Sequence, residues 1–578
     1  MFKISSRILS LVLALLIVLS FGACGTNNSE NDTTGQTTVD NATTTVETTK
    51  APADPLGKYE QPVTITRVIR TAGNTTAVIP EGESYENNRW TKAIEDNLNI
   101  KLETLWTADA TQYDTKMSVT LASGDMPDII NTSQYNFILT MKDADVLADL
   151  TQSWNEYAGP EIKALAEKKP DMFNAGVLSG KLLTIPNLSG SMYQQISSLW
   201  IRKDWMDNLG ITPPKTMADV LKIAEMFTTM DPDKNGKNDT YGLALQKDIY
   251  GFFAEIFGFA QGYHAFLTEE VHQYWVKDSN DKYVYGATQP EAKNALLALQ
   301  DLYKKGYIAK DFAVMDYNKL VEEFVAGKVG MTFGQSWLGY WPFTDLVKKD
   351  LKAEFRPYAI PSVDDKPVVL GAAWPINDYW AVSKTCQNPE ALIKMANLYK
   401  KLNKVEPKTY NTTEDGKAVW GLAIMAMDDW DTMQETIDLY KEYREDPEKP
   451  RASLKEKGFM EQEIQSKINT IETIIKWIDQ RDPAAYGTDA QIGPFGAGTI
   501  AFKDYFLKGL TMLNPMRGGE SETFVQKGAT LKAMEVEAFT KIIMGEPIDS
   551  FDTFVQQWNA QGGEQITNEF NAAKAKSK

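Results

Sequence analysis

Apolar positions along this chain switch between a period of two and a period near 3.6. At residues 62–69, Val63, Ile65, Val68 and Ile69 supply β-branched bulk, and the stretch predicts a strand. Residues 88–98 then predict a helix, 100–105 a second strand and 113–122 another helix. A turn at 123–128 leads into a short buried strand that starts at Ile129 and Ile130. Strand and helix alternating in this way predict an α/β fold with parallel-rich sheets flanked by helices. Ligands on such sheets collect beyond the carboxyl ends of the strands. The loops 70–74, ending in Asn74, and 131–136 are therefore candidate ligand walls.

Further along, 180–186 and 199–202 read as strands. Thr216 caps a helix over 217–227, with Asp219 completing a capping box. Residues 289–305 and 318–326 predict helices, and 329–333, 355–360 and 378–382 predict strands. Asn388-Pro389-Glu390 opens a helix that runs to Leu402. Met460, Ile464, Ile468, Ile471, Ile475 and Ile478 share one face of an amphipathic, core-facing helix. The charge-rich stretch 441–455 predicts a solvated helix end and loop.

The amino end follows a different pattern. Lys3 and Arg7 precede an apolar run at 8–21, followed by Gly22-Ala23-Cys24. At about 14 residues the run is short for a bilayer span and fits an export signal, with Cys24 receiving lipid. Residues 25–53 are rich in Thr, Asn, Ser and Gly and predict a disordered tether. The expected organisation is a signal at 1–23 and a lipid-anchored tether at 24–57. An amino-terminal lobe of 58–186 plus about 356–405 and a second lobe of 187–355 plus about 406–578 follow. Roughly 520 residues are too many for one core and fit two lobes.

Composition narrows the function. The net charge of -18 disfavours nucleic acid and anionic lipid surfaces as partners. With Cys24 lipidated, Cys386 is the remaining cysteine, and no intrachain disulfide can form. The two histidines, His264 and His272, lack a metal-ligand spacing, which argues against a zinc hydrolase or a histidine-dependent triad. Paired carboxylates can always be found among 78 acidic residues and decide nothing. No nucleophile motif, Walker loop or dinucleotide fingerprint is present.

Two constellations carry chemistry. Asp231, Asp233, Asn235, Lys237 and Asp239, with Gly236 at the sharp turn, match the first nine positions of an EF-hand calcium loop. Side-chain oxygens come from Asp231, Asp233 and Asn235, Lys237 offers its carbonyl, and Asp239 is a ligand directly or through water. The twelfth position is Gly242, so the usual bidentate glutamate is missing. The expected ion is a structural Ca2+. The second constellation is aromatic: of 14 tryptophans most belong to packing, but Trp337, Tyr340 and Trp341 follow a strand in a glycine-containing loop. Trp374, Tyr379 and Trp380 form a second such group, and Tyr193 lies beside Gln194 and Gln195. Sugar rings stack their apolar faces on aromatic rings and offer hydroxyls to planar amides, so Gln335 beside Trp337 fits a saccharide cleft, and a peptide-binding cleft could use the same residues.

These segments together resemble the extracellular solute-binding proteins of family 1, the receptor lipoproteins of ABC importers. The resemblance is carried by 121–128 (LASGDMPD), 199–205 (LWIRKDW), 209–216 (LGITPPKT) and 324–337 (FVAGKVGMTFGQSW). The last is similar to maltose-binding members, and the calcium-type loop to alginate-oligosaccharide receptors. The tail at 539–545 and 551–558 is similar to the long Gram-positive lipoprotein subgroup. The resemblance implies a two-lobed periplasmic-binding-protein fold of the class II type, with hinge strands between lobes that close over ligand. It gives Trp337 the stacking role and places Thr132, Gln134 and Tyr135 in the cleft loop. The tryptophan and charged pair of the maltose receptors are absent, which argues against maltodextrin.

The implied function is non-catalytic. A monomeric receptor, lipid-anchored on the extracellular face of the cell membrane, captures an oligosaccharide for ABC permease subunits. The alternatives are a secreted carbohydrate-active lyase or hydrolase, and a surface sensor or adhesin using the same cleft.

Overall fold

Residues of two mixed sheets account for most of the predicted strands. The computed structural model describes residues 53–576 apart from 72–78, 192, 194–195, 252, 269–272, 373, 377, 412–418, 420–421, 428, 430–431 and 518–520. The export signal, Cys24, the tether to residue 52 and the loop residue Asn74 lie outside the described residues. Numbered along the chain, the first sheet runs β2 (Ile100–Asp109), β1 (Val63–Thr71), β3 (Ile129–Thr132), β14 (Tyr379–Val382), β6 (Thr184–Pro186). The second runs β12 (Phe355–Tyr358), β7 (Ser198–Arg202), β11 (Val329–Gly334), β8 (Tyr241–Leu243). Two hairpins, β4 (Val177–Leu178) with β5 (Lys181–Leu182) and β9 (Trp275–Lys277) with β10 (Tyr283–Tyr285), flank them. A parallel pair joins β13 (Leu370–Ala372) to β15 (Thr511–Leu513).

Local chemistry explains the amino-terminal alternation. The Asn88 side chain accepts from the N–H groups of Trp90 and Thr91, and Thr91 returns the bond, so the helix Arg89–Leu98 starts in a capping box. The Asp128 carboxylate accepts from the Thr66 N–H and hydroxyl, each at 2.8 Å, and fastens β3 beside β1. Thr216 and Asp219 form the expected box at the start of Met217–Thr229.

Neither sheet is wholly parallel. β1 pairs parallel with β2 and β3, but β14 runs antiparallel to both β3 and β6. In the second sheet β8 and β11 are parallel, and β7 opposes β11 and β12. The opposed strands are the ones entered from the other sheet. Tyr379 pairs with Thr132 and with Pro186, so β3 and β6 end on the edge where β14 begins. Gly334 pairs with Ser198 and Tyr358 with Leu199, so β11 and β12 end where β7 begins. The chain thus crosses between two strand-end edges twice, at 186–198 and at 358–379.

The hydrophobic cores follow the same division. One buries residues drawn from 65–188 and 376–427; the others draw on 193–372 and 433–570. β12, placed by the sequence reading in the return segment of the first lobe, hydrogen-bonds to β7 in the second sheet. The predicted amphipathic helix spans Glu461–Gln480 and buries Ile464, Ile468, Ile471, Ile474 and Trp477. Its buried face turns by one residue at the end, where Trp477 packs edge-on against Tyr486 with centroids 5.0 Å apart. The stretch 441–455, expected to be helix end and loop, carries parts of Met433–Glu445 and Lys449–Glu456, with Pro450 and Leu454 buried. Among the described residues no helix is long and apolar enough to cross a membrane.

Candidate functional site

The strand-end edge of the first sheet gathers charge and aromatic surface. Arg70, penultimate in β1, donates to Ser133 Oγ at 2.8 Å and to Asp378 Oδ1 at 3.3 Å. Burial pushes the Asp378 carboxyl up, and the Arg70 charge opposes that shift. Tyr113 donates its hydroxyl to the Asn131 carbonyl at 2.6 Å and props the end of β3. Tyr135, one residue beyond Gln134, sets its ring 5.5 Å from that of Tyr379. The parallel pairing of β13 and β15 carries two further residues to this edge. Trp374 donates its indole N–H to the Asn514 carbonyl at 2.8 Å, and the Arg517 guanidinium lies 3.8 Å from the Trp374 ring centroid. The same guanidinium is 5.5 Å from the Tyr135 ring. Residues of both cores therefore meet here.

The corresponding edge of the second sheet carries Gln335 and Trp337. The turn Ser336–Gly339 follows β11 directly, and the Trp337 indole N–H donates to Gln335 Oε1 at 3.1 Å. Trp337 stacks near Trp341, with centroids 6.4 Å apart and planes inclined by 18°, and meets Phe253 edge-on. Phe253 bridges to Gly334 at the strand end. Glu255 lies next along this edge. It accepts from Ser197 Oγ at 2.9 Å and from the Gly258 N–H at 2.8 Å. Burial pushes its carboxyl up to about 7 despite those two bonds.

Of the sequence-predicted residues, Trp374, Tyr379 and Tyr135 come together, and Gln335 and Trp337 form the second group. Gln134 is exposed at the start of the helix Tyr135–Asp143. Thr132 is buried, and its hydroxyl accepts from the Gln134 N–H at 3.1 Å, so it shapes the loop. Tyr193 is 1% exposed, packs edge-on against Phe502 and accepts from the Met433 N–H, which makes it a packing residue where the chain enters the second core. Tyr340 turns to Thr488 at 3.4 Å, beside the helix Tyr486–Ile492. Arg517, Asn514 and Asp378 were missed by sequence reasoning. Arg70 was legible as the first residue of a strand-end loop. A separate cavity of about 990 Å³ lies among helices, lined by Glu161, Lys168, Lys404, Glu435, Glu463 and Lys467. Its lining is largely charged and polar, with Phe459 as its one aromatic residue, and none of the strand-end residues named above lines it.

The calcium-type loop is bent by left-handed backbone at Asp231, Lys234 and Gly236. Asp231 accepts from the N–H groups of Asn235 and Gly236 at 3.1 and 3.0 Å. The Asn235 amide reaches Asp233 at 2.8 Å and Asp239 at 3.1 Å, and the Lys237 N–H donates to Asn235 Oδ1. Burial, with the charges of Asp239 and Asp231 adding to it, raises the Asp233 carboxyl. Among the described residues no group of three or more His, Cys, Asp or Glu side chains is arranged to hold a metal. The oxygen-only donor set nonetheless has the hard, anionic character that Ca2+ requires.

Comparison with known proteins gives a family and a fold. The family described as bacterial extracellular solute-binding protein matches residues 80–401. A polygalacturonan/rhamnogalacturonan-binding protein of Bacillus subtilis, YtcQ, is 31% identical over 252 residues, which cover 43% of this chain and 46% of that protein. The chain thus spans a little under half of that relative. The solved structure of an HMO-binding, ABC-transporter-associated solute-binding protein from Bifidobacterium longum infantis covers 89% of this chain and 99% of its own. Its TM-score is 0.61 at 17% identity. The alginate-binding protein AlgQ2, solved without calcium ion, covers 89% of this chain and 98% of its own, with a TM-score of 0.59 at 15% identity. At these identities the likeness is one of fold, that of two-domain solute-binding proteins.

Proposed function

We propose that this chain, which belongs to the bacterial extracellular solute-binding proteins, captures an oligosaccharide outside the cell and presents it to the permease of an ABC importer. The observation that carries this reading is the pairing of aromatic faces with planar polar groups at both strand-end edges. Trp374, Tyr135, Arg70 and Asp378 stand on one, and Trp337 with Gln335 on the other. Rings supply stacking faces for sugars, and amide, guanidinium and carboxylate groups supply partners for their hydroxyls. Ligand that bridges the two edges binds the closed arrangement better and shifts the population towards it. The polysaccharide-binding relative and the transporter-associated fold neighbour support the same class of ligand and partner.

In this reading the lobes comprise 53–188 with 376–427, and 193–372 with 433–570. Binding leaves the ligand intact, since the family and its relatives are binding proteins. Cys24 carries the lipid that holds a monomeric receptor at the extracellular face of the membrane. Asp231, Asp233, Asn235 and Asp239 would hold a structural Ca2+, with the Lys237 carbonyl as a further donor.

Small-angle scattering of the purified mature chain, with and without a saturating oligosaccharide, tests the reading. The expected result is a smaller radius of gyration with ligand recovered unaltered. Shortened oligosaccharide products in the recovered sample would replace the receptor with an enzyme.

A further inference from the structure

Pro170 disfavours helical backbone at the residue before it, so the helix Pro160–Lys168 stops and Lys169 is left between two helices with φ -125° and ψ 60°. Its ammonium, on a side chain 5% exposed, donates to the Leu188 carbonyl at 2.9 Å and to the Gly190 carbonyl at 2.8 Å. Both acceptors belong to the first crossing. The same ammonium lies 3.2 Å from Asp429 Oδ1, and Lys168 reaches Asp429 Oδ2 at 2.6 Å. Asp429 stands in a third connection, which leaves the first core at Met427 and enters the second at Met433. The second crossing is fastened to the first. The Asn187 N–H donates to the Asp378 carbonyl at 2.8 Å, and the Pro375 carbonyl oxygen fills the space that a Cβ on Gly190 would need. All three connections therefore gather on one cation of the first lobe.

A buried ammonium is costly unless acceptors and a counter-ion meet it, and here they come from the connections themselves. Any bend that carries one connection away from Lys169 strands part of that charge, so the three are coupled through it. Beside this point the lobes are not packed together. The cavity of about 990 Å³ takes Glu161, Lys168 and Lys404 from the first lobe and Glu435, Glu463 and Lys467 from the second. Lys404 pairs with Glu161, and Lys467 with Glu435, each within its own lobe. The space gives the lobes room to turn about the Lys169 contact.

We propose that Lys169, with Asp429 as its counter-ion, is the pivot of motion between the two lobes. It makes the three connections bend as one, so the strand-end edges approach along a single path. Lys169 is a positioning residue and acts through the crossings on the spacing of those edges. Fewer unpinned arrangements leave a larger share of the chain ready for a ligand that bridges both edges. The inference rests on the two-lobed reading above and is independent of the ligand.

Pulsed electron paramagnetic resonance on the ligand-free mature chain tests this. Spin labels enter at Lys401→Cys in the first lobe and Ser466→Cys in the second, both exposed, with Cys24→Ser to keep the amino end unlabelled and Cys386 buried. The parent is expected to give one narrow distance distribution. Asp429→Asn should broaden it, with the ratio of pinned to unpinned arrangements falling about tenfold, the loss of one charge-assisted bond. Lys169→Met should broaden it at least as far. Lys404→Gln, which breaks the pair with Glu161 inside the first lobe, should leave it narrow. Circular dichroism shows that each variant is folded, and if Lys169→Met does not fold, Asp429→Asn decides. A broad distribution in the parent, or an unchanged width in folded Asp429→Asn, would overturn the inference. Equal broadening by Lys404→Gln would overturn it too, since loosening would then be general. No ligand is present, so each of these failures leaves the oligosaccharide reading in place.

Discussion

The Tyr285 hydroxyl donates to the Glu535 carboxylate across 250 residues of chain. The bond ties β10 to the helix Glu522–Ile543, and Tyr250 and Thr268 donate to the same carboxylate. Burial pushes Glu535 from 4.5 up to about 7, with those bonds opposing the shift. The sign follows from linkage. A carboxyl whose folded pKa is raised favours the fold while protonated; that contribution is whole below about pH 4.5 and is lost as pH rises through about 7. Glu255 behaves alike. The melting temperature is therefore expected to fall between about pH 5 and 8, and Glu535→Gln to flatten the decline, with Glu255 supplying the remainder. Thermal denaturation across that window measures it, and an unaltered slope in the variant would remove Glu535 from the account.

Trp337→Ala is expected to remove most oligosaccharide affinity while the fold persists. The ring is half-buried, with its indole committed to Gln335 and its faces near Trp341 and Phe253. Truncation should cost about 1–3 kcal/mol of stability, less than a fully buried tryptophan would. Calorimetry with the wild-type ligand and a parallel melting curve separate the two effects. Unchanged affinity would take Trp337 out of the site and leave the first-sheet edge as the whole of it.

Calcium should raise the melting temperature and a chelator should reverse the rise. Burial raises the Asp233 carboxyl, and charge repulsion from Asp231 and Asp239 adds to the shift. A divalent cation relieves that repulsion only in the folded loop, so binding adds to folding stability. Asp233→Asn removes a ligand charge and should abolish the calcium response. A melting curve indifferent to both calcium and chelator would mark the loop as a turn held by its own hydrogen bonds.

The fold was legible wherever local chemistry decided it. Thr216 announces its helix through capping, and the runs at 63–69 and 88–98 announce theirs through period alone. The candidate site was legible in part. Trp337 and Gln335 lie next to a predicted strand end, and Arg70 in a predicted loop. Arg517 was not, because its position depends on the register of β13 with β15, which no local pattern records. Tyr193 misled for the converse reason. Its polar neighbours suggest exposure, but Phe502 and Met433 bury it from far along the chain. The return segment shows the same limit, since a strand at Phe355–Tyr358 reads identically in either sheet.

Gly190 bears on how the two bodies move. It lies in the first crossing, and a Cβ there would sit 2.0 Å from the Pro375 carbonyl oxygen in the second. The contact is with backbone, so rotamer adjustment cannot relieve it, and the crossings would have to separate. Gly190 also offers its carbonyl to Lys169 Nζ at 2.8 Å, which anchors the crossing to the first core. Gly190→Ala is expected to lower stability by about 1–3 kcal/mol through this overpacking. Because two of the three connections between the lobes are displaced together, the ligand-induced decrease in radius of gyration should shrink as well. Denaturant unfolding and scattering of the variant read the two effects separately. A destabilised variant that still compacts fully would show that the contact supports the fold without guiding closure.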